Sequence, residues 1–313
     1  MLRAAQGLLS DGPMPNPRQI FPGQFYLLTR RCTQGQFFLR PDAVTNNIFT
    51  YCLAEAAQRF GIVILLTVTE GNHHHTVFYD PDGRASEFME HLHKMTAACL
   101  NRRWGRRENL WSNVEPCLTR LLDRAAVIEK LIYTAGNPVK DLLVERAFQW
   151  PGVNGYLALL RDGTLHARRP HYFFSPDGVM PEEITLTFQF PEFLGTREEI
   201  ITEIRDGVTA LELTTKAERN GAPVLGVKRA KEQSPFGSPT SGPPPSELRP
   251  RFAGGPKARI PALLAYKVFL AEYRAARRAW LAGEPAVFPA GTYRLRRIAP
   301  ITVAPMPPPM LDN

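Results

Sequence analysis

The chain has 313 residues, 44% of them apolar, and carries 38 Lys and Arg against 30 Asp and Glu, a net charge of +8. That length supports a sizeable core in one to three domains, with two the working number, and no stretch approaches the roughly 18 apolar residues of a membrane span. The cationic surplus favours polyanionic partners through counterion release, although charge alone is a weak signal.

Residues 1–20 include Leu8 and Leu9 but no continuous apolar run, so they read as a flexible leader and not a secretory signal. The first strand is expected over GQFYLLTR, residues 23–30. A helix follows from Asp42 to Phe60, where Val44, Ile48, Cys52 and Ala56 recur every fourth residue and Gly61 supplies the stop. IVILLTVT, residues 62–69, is β-branched enough for a buried strand. Glu70-Gly71-Asn72 then makes a turn into the return strand HHHTVFYD.

A second helix runs from about Ser86 to Arg102, with Phe88, Met89, Leu92, Met95 and Cys99 as its apolar stripe. It leads into the basic loop NRRWGRRENLW, then an extended stretch around Val114 to Leu118 and a third helix from Asp123 to about Gly136. This order, with its antiparallel hairpin, predicts an α+β fold in which helices pack on one antiparallel sheet. Beyond residue 157, ITLTFQF alternates like a strand, and Thr196 to Glu199 reads as a capping box opening a helix to about Lys216. The Pro/Gly/Ser-rich segment 234–256 reads as a linker. A basic helix from about Ile260 to Ala282, a strand candidate TYRLRR and a Pro-rich tail complete a basic, partly disordered extension over 257–313. Cys32, Cys52, Cys99 and Cys117 form no CxxC pair, which argues against a zinc knuckle and suits a reduced, cytoplasmic chain.

The sharpest chemical feature is Asn72-His73-His74-His75 at the start of a strand. Strand side chains alternate faces, so His73 and His75 share one side and can share a divalent cation, while His74 points the other way. A His-rich surface turn is the bland alternative, at even odds. Tyr133 and Asn137 are four apart and share a helical face; Pro138 disfavours helix at Asn137 and predicts that the helix ends there. For Tyr133 alone, a half-buried core tyrosine is the commoner fate. His91 and His93, two apart on a helix, read as surface or edge residues, and His166 and His171 have no partner at ligand spacing.

NHHH followed by Y-x-x-x-N-P-V-K resembles the HUH single-tyrosine transposases, in particular the REP-associated branch. NRRWGRRENLW and WPGVNGY extend the resemblance over residues 21–157, about half of the chain. It implies a ferredoxin-like or RRM-like nuclease domain over 21–157; the strand and capped helix beyond it read as an α+β extension over 158–233. It also implies that His73, His75 and Asn137 hold magnesium or manganese and that Tyr133 is the nucleophile, leaving a 5′-phosphotyrosine and a free 3′-hydroxyl. Single-stranded or hairpin DNA is the implied partner, in a nucleoid-associated setting, and a homodimer stays open because relatives include both dimers and monomers.

Arg30, Arg31, Arg102, Arg103, Arg106 and Arg107 would meet phosphates, and Trp104 or Trp111 would stack an unpaired base. For Arg102 and Arg103, a solvated helix end is an equal alternative. Arg274, Arg277, Arg278, Arg294, Arg296 and Arg297 could clamp a hairpin, or form a solvated cationic face. Two departures stand out: the family's residue between the ligand histidines is hydrophobic where this chain has His74, and the family is basic after Trp111 where this chain reads Ser-Asn-Val-Glu-Pro. Both suit a second reading, a non-cleaving protein that binds structured DNA and descends from such an enzyme.

Overall fold

In the computed structural model, residues 17–171, 173–175, 177–240 and 250–306 are described. The element order is β1 (Gln24–Arg31), α1 (Ala43–Phe60), β2 (Val63–Thr69), β3 (His73–Asp80), α2 (Ala85–Arg103), β4 (Cys117–Leu121) and α3 (Arg124–Lys140). After these come α4 (Gly155–Leu159), β5 (Thr164–Arg168), β6 (Glu183–Thr187), α5 (Arg197–Glu218), α6 (Val227–Glu232) and β7 (Phe252–Ala253). The C-terminal elements are α7 (Pro256–Leu281), β8 (Val287–Phe288), α8 (Arg294–Ile298) and β9 (Thr302–Val303). The central sheet has the order β2-β3-β1-β4-β7 and is antiparallel except where β7 joins β4 in parallel.

Local chemistry explains the first half. Asp42 caps α1 by accepting from the Thr45 amide, and Gly61 ends it at φ 66°, a left-handed conformation that suits glycine. Helices α1 and α2 cover the sheet face that carries Phe78 and His74, with Phe88 and Phe49 against those rings. Helix α3, capped by Asp123, covers the opposite face. Behind α3 lies α5, and the two approach so closely that a Cβ at Gly207 would meet the Ile132 side chain 2.3 Å away. WPGVNGY closes against the end of β2: the Trp150 indole donates to the Thr69 carbonyl, and Val153 and Thr69 exchange hydrogen bonds.

Several expectations need correcting. Helix α3 does not stop before Pro138 but continues to Lys140. Proline removes one amide donor from the helix, and the buried faces of Asn137, Pro138 and Val139 hold the extra turn in place. The TYRLRR strand is instead helical over Arg294–Ile298. The strand expected around Val114 to Leu118 starts at Cys117.

Within the expected linker, the described ends are packed. The Phe236 ring meets Phe38 edge-on, Ser238 donates to the Gln34 carbonyl, and Phe252–Ala253 pairs with β4. Of the expected leader, residues 1–16 lie outside the described residues. Its end is fixed, with Ile20 buried and Gln19 bridged to Thr292.

Candidate active site

The strand register sorts the three histidines. Arg31 and Thr29 of β1 lie opposite His73 and His75, and Arg30 lies opposite His74. The His75 Nδ1 is 2.7 Å from the Thr29 hydroxyl, while its Nε2 is buried and has no hydrogen-bond partner among the described residues. The His73 Nδ1–H donates to the Asn72 side-chain oxygen at 2.7 Å, and Asn72 is itself oriented by donating to the Gly35 carbonyl. That tautomer leaves the His73 Nε2 unprotonated, an acceptor or ligand. Burial pushes the pKa of both rings below the ordinary imidazole value, that of His75 to about 3, so both are neutral at pH 7.

Tyr133 meets this face from α3, its ring centroid 5.2 Å from that of His75. Burial first, and then the charges of Asp141 and Glu70, push its phenol up to about 12. The ammonium groups of Lys130 and Lys140 lie 5.6 and 5.2 Å from the phenol ring centroid.

Asn137 also points here, but its amide nitrogen faces the cluster, donating to Glu70 Oε1 at 2.6 Å and lying 3.5 Å from His73 Nε2. The Glu70 carboxylate thus stands between the Asn137 amide and His73, its Oε2 3.6 Å from His73 Nε2. One ligand atom from each of Glu70, His73 and Asp141 lies within 4.8 Å of the other two, and His75 is outside that group. Burial and the neighbouring Asp141 carboxylate raise the pKa of Glu70; burial likewise raises that of Asp141. Two crowded carboxylates beside neutral imidazoles form a donor set suited to a hard divalent cation. The orphaned His75 nitrogen belongs to a ring whose centroid is 4.9 Å from that of His73, on the same face of the sheet.

Sequence reasoning missed Glu70, which it assigned to a turn, and Asp141, which lay beyond the expected helix end. Their only signal was acidic chemistry within one helical turn of Asn137 or of the histidines.

On the other face, His74 is fully buried. Its Nε2 is 3.1 Å from His93 Nε2 and its Nδ1 is 3.1 Å from the Thr76 hydroxyl. His93 is thus a buried partner and not a surface residue, whereas half-buried His91 is bonded to Glu55. Trp111, 6% exposed, packs on both rings and donates from its indole to the His93 carbonyl, which closes it to base stacking.

The expected DNA contacts divide. Arg103 holds both oxygens of Asp42, the cap of α1, so it is structural. Trp104 donates to the Phe38 carbonyl, and its ring carries Arg103 and Arg40 at 4.2 and 5.5 Å. Arg106 lies over Phe38, and Arg30 over Trp111 on the His74 face. Arg31, Arg102 and Arg107 are exposed. Of these, Arg31 acts electrostatically on Tyr133, His73, His75 and Glu70. In the C-terminal extension, Arg297 is paired with Glu90.

No family model matches the chain, and no curated protein matches it. Among solved structures, one described as the REP-associated tyrosine transposase bound to a REP hairpin is similar in shape, with 14% identity and a TM-score of 0.41. The match covers 53% of this chain and 93% of that one. A likeness this shallow carries no argument about function. Among the described residues, no helix is long and apolar enough to cross a membrane.

Proposed function

We propose that the chain nicks and rejoins single-stranded or hairpin DNA, with Tyr133 as nucleophile and magnesium or manganese held by His73, His75 and the Glu70 and Asp141 carboxylates. The observation that carries this reading is the buried, unpartnered Nε2 of His75 beside the Tyr133 ring, on the face where Glu70, His73 and Asp141 gather. When bound, the cation supplies charge neutralisation at a non-bridging phosphate oxygen.

The Tyr133 Oη forms a bond to phosphorus as the bond from phosphorus to the 3′ oxygen breaks. With its pKa at about 12 the phenol is protonated at pH 7, so its proton must leave as the attack proceeds. Asp141 and Glu70, close enough to raise that pKa, are the bases at hand. The departing 3′ oxygen takes up a proton, and the resulting hydroxyl can reverse the reaction on another strand end. Lys130, Lys140 and Arg31 supply positive charge for the phosphate around the phenol.

The test is incubation with labelled hairpin DNA and manganese, followed by a denaturing gel. A covalent adduct is expected from the wild type and none from Tyr133→Phe; an adduct that survives the substitution removes Tyr133 as nucleophile. One observation favours the second reading, binding without cutting: after Trp111, where the resembling family is basic, this chain reads Ser-Asn-Val-Glu-Pro. Tight hairpin binding with no wild-type adduct would select that reading.

A further inference from the structure

A shallow recess of about 30 Å³, open to solvent, lies at the β4–β7 edge of the sheet, lined by Arg18, Tyr26, Arg120, Arg251, Phe252 and Tyr266. Its charge is lopsided. Three guanidiniums surround it, and among the described residues the one carboxylate paired with any of them is Glu115, 3.8 Å from Arg18. Arg18 also donates to the Pro116 carbonyl.

Arg120 lies against aromatic rings, 6.0 Å from the centroid of Phe21 and 5.6 Å from that of Phe252, and Arg251 lies 4.2 Å over Tyr266. These contacts orient the guanidiniums but satisfy none of their N–H donors. Arg120 Nε is buried and has no acceptor among the described residues. The Tyr26 hydroxyl, in a residue 2% exposed, also has none among the described residues. Burial lowers the pKa of Arg18 and Arg120, and the charge of Arg251 lowers that of Arg18 further. Cations held this close together, beside buried donors with nothing to bond, are stabilised by an anion with several acceptor oxygens.

We propose that this recess binds a phosphate group, with Arg120, Arg251 and Arg18 as the cationic wall and the Tyr26 hydroxyl as a buried donor. It lies on the sheet face away from Tyr133. Tyr26 and Arg120 are register partners, and the parity of β1 sets Tyr26 opposite to Thr29, which bonds to His75. A nucleic-acid strand that filled this recess and also reached Tyr133 would wrap around the β4–β7 edge. The inference does not depend on the Tyr133 chemistry, because it concerns a different face and a different set of donors.

Two arms test it on the full chain. In the first, inorganic phosphate is added at constant ionic strength and the melting temperature is read; in the second, hairpin DNA affinity is measured from about 50 to 200 mM salt. The variants are Arg120→Gln, Arg251→Gln and the charge-retaining Arg251→Lys.

The expected result is that phosphate raises the wild-type melting temperature and that the Gln variants lose the rise. If the phosphate belongs to a DNA backbone, each Gln variant also lowers the slope of log affinity against log salt by about one, and Lys restores it. A response in the first arm alone assigns the site to free phosphate. Wild-type protein indifferent to phosphate, together with unchanged salt slopes in both Gln variants, overturns the proposal. The Tyr133 adduct assay is unaffected by that outcome, so the two readings fail separately.

Discussion

Three consecutive histidines meet two different fates on the two faces of one sheet. On the α1/α2 face, His74 is closed into a network in which His93 and Thr76 leave its ring no free nitrogen and Trp111 packs on it. On the α3 face, His75 spends one nitrogen on Thr29 and leaves the other buried without a partner among the described residues. Residue type and burial are the same, so the difference lies in what the neighbours supply: on one side partners for both nitrogens, on the other carboxylates and a phenol. A buried imidazole stabilises the fold when both nitrogens are used, and becomes a candidate ligand when one is not.

Substitutions can break this contrast. His74→Ala removes a fully buried ring and leaves His93 Nε2 without its partner. It is expected to destabilise the fold by about 2–4 kcal/mol in urea unfolding while keeping manganese affinity within about twofold. His75→Ala is expected to do the reverse, weakening manganese binding about 100-fold (~2.7 kcal/mol) in calorimetric titration while costing less stability than His74→Ala. If both variants lost metal affinity equally, the two faces would not be functionally distinct.

Acid should strain the His74 face. Burial, followed by the charges of His75 and Arg30, lowers the His74 pKa to about 3, against about 6.5 in the unfolded chain. Between those values the unfolded state binds the extra proton. Stability is therefore full above about pH 6.5 and falls as pH drops, by on the order of 2 kcal/mol at pH 5 from this residue. Unfolding at pH 7 and pH 5 without metal checks this, and His74→Phe should flatten the dependence; an unchanged pH slope in that variant would assign the loss to other groups.

The smallest expected effect separates structural from functional arginines. Arg103→Gln frees the Asp42 cap and should cost about 1 kcal/mol of stability with hairpin affinity unchanged. Arg31→Gln should weaken hairpin binding and leave stability alone. The reverse pattern would return Arg103 to the DNA interface.

Much of the N-terminal half was legible in the sequence because its signals are local. Asp42 and Gly61 bracket α1, the β-branched run and the turn at Glu70–Asn72 define the hairpin, and strand alternation places His73 and His75 together. What escaped the sequence depended on tertiary partners. The Pro138 step continues as helix because the side chains around it are buried, which carries Asp141 to within reach of Glu70. His93 was assigned to the surface because helical spacing cannot show that a strand histidine faces it. The packed ends of segment 234–256 were hidden because Phe236 and Phe252 are isolated aromatics in a linker-like composition.

The most direct measurement of the central claim is the nitrogen coupling to bound manganese by pulsed electron paramagnetic resonance. Coupling to imidazole nitrogen is expected in the wild type and in His74→Ala, and reduced coupling in His75→Ala. No nitrogen coupling in the wild type, or a spectrum that His75→Ala leaves unchanged, would show that the orphaned imidazole beside Tyr133 does not bind the cation.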